Sequence, residues 1–245
     1  MPRFFIAASN IFGGTAYLSA QDVEHMRVLR IRRGEIFTVC DSNGTDYTCR
    51  INENDPTGTT VQIISSAPSA GEPSVRCTVY AAFSKGDKMD TVVQKCVELG
   101  AYDIVAFPSA RCVSRPDGGA LLKKLNRWQR IAEEAAKQSG RGIIPKVSSA
   151  NSFAEAVNRA SSADIPLFLY ENEHQNGLRQ AVSDGGARTI AVMTGPEGGF
   201  DDDEAAFAIS AGMRPVSLGT RILRCETAPV AALAAVMCLT GNLGG

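Results

Sequence analysis

The chain has 245 residues, 44% of them hydrophobic and 21% charged, and carries a net charge of −1. These proportions are those of an ordinary globular protein and exclude a disordered, collagenous or uniformly basic chain. No apolar run reaches the roughly 20 residues a membrane helix needs, and "MPRFFIAASN" lacks a long apolar core with a cleavage site, so a cytoplasmic protein without a signal peptide is expected.

Residues 1–72 read as short strands and turns. "EIFTVCD", "DYTCRIN" and "TTVQIIS" are β-rich, while "DSNGTD" and "NENDPTG" carry turn chemistry. One short helix is predicted at "SAQDVEHMRVLR", with Ser19 as its N-cap and Val23, Met26, Val28 and Leu29 as its apolar side. Together they predict a small barrel. "SSAPSAGEPS", residues 65–74, reads as a linker.

Strands and helices then alternate. "SVRCTVYAAF" predicts a strand and "GDKMDTVVQKCVELG" a helix closed by Gly100. "DIVAFPS" is a strand, and "GGALLKKLNRWQRIAEEAAKQSG" a long helix ending at Gly140. "SFAEAVNRAS" is a helix, "IPLFLYE" a strand and "GLRQAVSD" a helix. "RTIAVMTG" is a strand, "DDDEAAFAISAG" a helix and "RPVSLG" a strand, before the final helix "TAPVAALAAVMCLTG". Such alternation predicts a parallel sheet covered by helices. The last helix is apolar nearly all round and must be buried in the core or against a partner subunit.

Seven cysteines, odd in number and without a CxxC, predict reduced thiols rather than disulfides or a zinc site. His25 and His174 are the only histidines, too few for a His-based metal site. From Val75 to Lys146, thirteen basic residues face seven acidic ones, a balance of +6 that leaves −7 for the rest. A basic middle of this kind can present a phosphate-binding face or simply solvated helix surface.

Two strand-to-helix loops carry the chemistry. In "MTGPEGGFDDDE", Gly195, Gly198 and Gly199 let backbone approach a ligand, but Glu197 stands where a phosphate loop would carry Lys. Asp201 to Glu204 favour the helix dipole and disfavour a triphosphate. There is no GxxxxGK[ST] and no GxGxxG, so an uncharged nucleoside or a cationic cofactor suits the loop better. In "LGTRILRCETAP", Ile222 and Leu223 predict apolar walls of a base pocket, Glu226–Thr227 a helix cap and Pro229 its first turn. Ligands bind at the carboxyl ends of strands in such sheets, so the two loops predict one composite site.

"GPEGGF" followed by "LGTRILRCETA" closely resembles the C-terminal signature of the RsmE family of ribosomal RNA uridine N3-methyltransferases, within the SPOUT superfamily. "HMRVLRIRRGE", "KGDKMDTVVQKCVELG" and "RWQRIAEEAAKQSGR" extend the match over most of the chain in family order. The resemblance implies a PUA-like β-barrel RNA-binding domain at residues 1–72 and an α/β domain with a trefoil-knotted parallel sheet at 73–245. It also implies S-adenosyl-L-methionine as cofactor, small-subunit ribosomal RNA as partner, a homodimer and no metal. The implied cofactor contacts are Leu169, Thr194, Gly195, Glu197, Gly199, Leu218, Gly219, Ile222, Leu223, Thr227 and Ala228.

For catalysis the expectation is that Arg224 stabilises charge on the uracil carbonyls, while Glu226 or Glu197 accepts the N3 proton. For Glu226 a helix cap is the alternative. The expected RNA contacts are Arg3, His25, Arg27, Arg30, Lys85, Lys95, Arg111, Arg127 and Arg141, against solvated surface charge. Trp128 reads as core, and Gln138 and Ser139 either line the site or end their helix. Two other functions stay open: a related enzyme acting on another RNA or base, and a non-catalytic RNA-binding assembly factor.

Overall fold

The computed structural model describes residues 2–32, 34–52, 55, 57, 59–182 and 186–244. It forms two compact units, Met1–Glu72 with Ala136–Ile144, and Pro73–Ala135 with Pro145–Gly245. The turn expected at "NENDPTG" lies largely outside the described residues, as do Arg33 of "HMRVLRIRRGE" and the last two residues of "GLRQAVSD".

The first unit contains strands β1 (Arg3–Phe5), β2 (Ile11–Phe12), β3 (Thr15–Tyr17), β4 (Ile36–Cys40), β5 (Thr45–Ile51) and β6 (Thr60–Pro68), with helix α1 (Ala20–Val28). They make one sheet in the order β1-β4-β5-β6-β3-β2. The alternation of β4, β5 and β3 turns Phe37, Val39, Cys49 and Ala16 inward, onto Phe4, Leu18 and Val61. Helix α1 is started by a reciprocal capping box between Ser19 and Asp22, as the sequence predicts. Its apolar side is narrower than expected: Val23 and Met26 are buried, but Val28 and Leu29 face solvent. The helix ends at Val28, so the last two positions leave the core-facing stripe. Strands β1, β2 and β3 span two or three residues, too few for a period of two to register in sequence.

The linker expectation needs correcting. Ser65 to Pro68 belong to β6, paired with β5 through Thr48↔Ser65 and Thr45↔Pro68, and the unit boundary falls after Glu72. A second correction concerns residues 136–144, which the sequence assigns to the other domain. They are held here by chemistry on Glu72: its Oε1 accepts Arg141 Nε at 2.8 Å and the N–H groups of Gly142 and Ile143 at 2.8 and 3.1 Å. Its Oε2 accepts Arg141 Nη2 at 2.8 Å. The Gly142 carbonyl accepts from Cys40 Sγ at 2.9 Å and from the Gly44 N–H at 3.2 Å.

The second unit alternates as predicted: β7 (Arg76–Ala82), α2 (Lys88–Glu98), β8 (Asp103–Phe107), α3 (Gly118–Ser139), β9 (Lys146–Ser149) and α4 (Phe153–Ala160). There follow β10 (Ile165–Leu169), α5 (Leu178–Val182), β11 (Thr189–Thr194), α6 (Asp202–Ser210), β12 (Arg214–Val216) and α7 (Ala228–Leu239). All strands are parallel, in the order β12-β10-β11-β7-β8-β9. Near-continuous apolar strands such as "IPLFL" suit a sheet covered on both faces. In α2, Met89, Val92, Val93, Cys96 and Val97 recur at helical spacing and are all buried. Gly100 and Gly140 close α2 and α3 in the left-handed region, at φ 97° and 76°. Trp128 is core, its indole N–H donating to Asp90 Oδ1 at 3.0 Å. Strand β9 was not expected, since "KVSS" is short and half-exposed.

The seven cysteines are free thiols, five of them buried. Burial pushes the Cys77 thiol up to about 12, so it behaves as a small apolar side chain.

Arg141 is 2% exposed, and truncating it would leave the Glu72 carboxylate without its cation. Arg141→Ala is expected to destabilise the first unit by about 3 kcal/mol, read as a lower urea midpoint. An unchanged midpoint would mean that Glu72 holds residues 141–143 through the backbone alone.

Candidate active site

Strands β12, β10 and β11 are neighbours, so their carboxyl ends lie side by side and the three loops leaving them converge. A cleft of about 760 Å³ opens there. Ten of the eleven expected cofactor residues line it: Leu169, Thr194, Gly195, Glu197, Gly199, Leu218, Gly219, Ile222, Leu223 and Ala228. Thr227, the N-cap of α7, does not.

The glycine loop is shaped by a ring beneath it. Phe200 is 2% exposed and packs against Phe168 at 4.5 Å and Phe107 at 6.5 Å between centroids. A Cβ on Gly195 would sit 3.1 Å from that ring. Gly199 has φ +68°, and a Cβ there would fall 1.8 Å from the Glu171 carboxylate. Gly199 is thus favoured by its backbone conformation, and Gly195 is crowded by the buried ring. After the loop, Asp201 and Glu204 form a capping box that starts α6. Glu204 also accepts from Ser109 Oγ at 2.9 Å and the Ala110 N–H at 2.7 Å, fixing the loop after β8.

Lys88, at the start of α2, joins the two signature loops. Its ammonium donates to Glu197 Oε1 at 2.9 Å and lies 3.7 Å from Glu226 Oε2 and 3.6 Å from Cys225 Sγ. The Lys85 N–H donates to the same Glu197 oxygen at 3.0 Å. Burial raises the Glu197 pKa, but these two donors outweigh it and hold the carboxyl at about 2. Burial and the neighbouring Glu226 and Glu197 carboxylates push Cys225 up to about 11, so its thiol stays protonated. Glu226 is lowered, first by its own backbone N–H and then by the Cys225 thiol and Lys88.

These positions revise the expected roles. Glu226 does not line the cleft; its carboxylate is turned onto Cys225 and Lys88, and it makes no cap on α7. Arg224 lines the cleft and is exposed. Ile222, expected as a wall, is 92% exposed at the cleft mouth. Sequence reasoning missed Lys88, Tyr170, Glu171, Asn172 and His174, all lining residues. Four of them stand in "YENEH", directly after β10, where the strand-end rule points.

Of the expected RNA contacts, Lys85 and Arg111 reach this rim, Arg111 Nη1 donating to the Gly198 carbonyl at 3.1 Å. His25, Arg27 and Arg30 are exposed on and after α1, with Arg27 3.3 Å from Glu24. Lys95 pairs with Glu98, and Arg127 with Asp87 and Asp90. Arg3 is bound by Asp46 through two bonds of 2.5 and 2.7 Å. Arg141 is withdrawn from the set, since it is buried against Glu72. Gln138 and Ser139 end α3 and do not line the cleft.

Residues 71–237 match the model of an RNA methyltransferase domain, and residues 18–64 that of an RNA methyltransferase PUA domain. The chain is 33% identical to the ribosomal RNA small subunit methyltransferase E of Synechocystis, over 97% of this chain and 77% of that one. This chain belongs to the ribosomal RNA small subunit methyltransferase E family. Another member of the methyltransferase E family, from Bacillus subtilis, is 30% identical over 94% of this chain and 93% of its own. The methyltransferase E of Neisseria gonorrhoeae, solved bound to S-adenosyl methionine, is 34% identical, covers 98% of each chain and superposes with a TM-score of 0.84. A Legionella pneumophila chain solved with the same cofactor is 29% identical, covers 96% of each chain and gives 0.81. The fold class of the family, a SPOUT-type parallel sheet with an N-terminal PUA domain, is the one expected from the sequence.

Glu197 carries a depressed pKa, so its ionised form stabilises the fold at neutral pH, and that contribution is lost as pH falls from about 4.5 through about 2. Lys88→Met removes one of the two donors. The variant is expected to lose less stability than wild type between pH 5 and pH 2, measured as the change in thermal midpoint. Equal losses in both would contradict the Lys88–Glu197 pairing.

Proposed function

We propose that the protein transfers the methyl group of S-adenosylmethionine to N3 of a uridine in small-subunit ribosomal RNA. The observation that carries this reading is the cleft itself: two signature loops without a phosphate clamp, converging at the strand ends, in a member of the methyltransferase E family. The residues fit the cofactor. Leu169, Leu218, Leu223 and Ala228 offer apolar surface for an adenosine, and Gly219, with nothing within 4 Å of where a Cβ would stand, permits close approach to the backbone. Glu197 and Glu171 are carboxylates at the cleft, compatible with a cationic ligand. When bound, the cofactor supplies an electrophilic methyl group on a sulfonium.

The chain's own task is to hold uracil N3 in line with that carbon and to stabilise the charge that develops. Arg224, exposed at the cleft, takes the second part by placing its guanidinium at a uracil carbonyl. Glu197, held at about 2, is too weak a base for the N3 proton, and Glu226 is engaged by the Cys225 thiol and Lys88. Both act as anchors for Lys88, and the proton passes to water. Because N3 lies on the pairing edge, the uridine must be unpaired or extruded before it reacts.

We further assign a homodimer through α7. Pro229, Ala232, Leu233, Val236 and Met237 are buried within the unit, while Val230, Ala231, Ala234, Ala235 and Leu239 form a half-exposed apolar stripe on the same helix. Among the described residues no helix is long and apolar enough to cross a membrane; we place the protein in the cytoplasm with its ribosomal substrate.

Gly199→Arg is expected to abolish S-adenosylmethionine binding in calorimetry while the protein stays folded, and intact binding would refute the placement of the site. Arg224→Ala is expected to lower kcat by about 100-fold with cofactor affinity unchanged. Sedimentation at micromolar concentration is expected to give a dimer; a monomer would remove α7 as the interface.

A further inference from the structure

The register of the first unit's sheet draws one line of side chains across five strands. Ile36 opposes Arg50, Arg50 opposes Gln62, Gln62 opposes Thr15, and Thr15 opposes Phe12. Directly opposed residues of antiparallel strands share a face. Their sequence neighbours Phe37, Cys49, Val61 and Ala16 are fully buried, so this line lies on the face away from the core. It ends in an aromatic pair. Phe12 and Tyr17 stack with centroids 4.6 Å apart and planes 16° from parallel, yet stay 58% and 38% exposed.

The local chain is built to present these rings. Gly13 and Gly14 make a two-residue hairpin turn with φ of 60° and 74°, which residues with side chains rarely adopt. Nothing lies within 4 Å of where a Cβ would stand on either glycine, so the tip is open to a ligand. In the middle of the line, Arg50 Nε and Nη2 both donate to Gln62 Oε1, at 3.0 and 2.9 Å. A neutral amide orients the guanidinium without cancelling its charge, and the line contains no carboxylate.

We propose that this face is a platform for single-stranded RNA, with unpaired bases stacking on Phe12 and Tyr17 and a phosphate drawn to Arg50. A cross-strand aromatic pair alone would stabilise the hairpin. Stacked rings, a cation with no ion-pair partner among the described residues, an amide and a hydroxyl on one exposed sheet face are the set that sequence-tolerant single-strand binding uses. Arg50 supplies the positive charge that a phosphate would meet. The inference deepens the methyltransferase reading by naming where its RNA is held away from the reacting base, and for the identity of that RNA it rests on that reading.

The test is the double variant Phe12→Leu/Tyr17→Leu, which keeps apolar bulk at the hairpin and removes both π-faces. Three quantities are read: affinity for a fluorescein-labelled single-stranded oligouridylate, methyl transfer to isolated small ribosomal subunits, and S-adenosylmethionine affinity. The expected result is about a tenfold or greater loss of oligonucleotide affinity and a raised KM for subunits. The thermal midpoint, kcat and cofactor affinity should be unchanged. Arg50→Gln should flatten the dependence of log affinity on log salt by about 0.7. Unchanged oligonucleotide affinity in the folded double variant overturns the proposal, including the case where subunit binding alone falls, which would make the face a protein-docking surface. If wild type binds the oligonucleotide through these rings but transfers no methyl group, the methyltransferase reading fails and the platform stands.

Discussion

A missing side chain over a buried ring is the constraint on which the candidate site depends. Phe200 locks the end of the glycine loop into the aromatic core, and the loop must then turn through a left-handed residue beneath the Glu171 carboxylate. The left-handed φ of +68° at position 199 favours glycine there. The capping box at Asp201–Glu204 holds the following helix in place. The loop after β12 is tied to this frame through one ammonium group, because Lys88 meets carboxylates from both.

Part of the charge in the second unit is spent on architecture. The basic stretch 75–146 suggests a phosphate-binding face, but Lys88, Lys95 and Arg127 each meet carboxylates, and Arg115 donates to the carbonyls of Ser109 and Ala110. The same holds in the first unit for Arg3 and Arg141. Pairing is invisible in a count of basic residues, since partners such as Asp46 and Glu72 lie far away in sequence. Arg50, by contrast, is held by the neutral Gln62 amide.

The sequence resolves the second unit well because its strands are continuous apolar runs and its helices carry caps and terminal glycines. It resolves the first unit less well. Strands of two or three residues leave no period, and the serine-rich end of β6 has the composition of a linker while pairing with β5. The return of residues 136–144 to the first unit depends on a long-range bond to Glu72, which no local signal carries. At the site, glycines and apolar loop residues were legible because the motif is contiguous. Lys88 and Glu171 were not, since they reach the cleft from other elements and their roles are set by distance rather than by spacing. Glu226 shows the converse: contiguity with Arg224 suggested chemistry, but its carboxylate meets the Lys88 ammonium and the Cys225 thiol.

The central claim is that this cleft delivers a methyl group to a ribosomal uridine. The most direct measurement is transfer of labelled methyl from S-adenosylmethionine to small ribosomal subunits taken from cells lacking this protein, with the labelled nucleoside identified by mass spectrometry. The account predicts label in N3-methyluridine. Label in another nucleoside, or none from a protein that binds the cofactor, would contradict it.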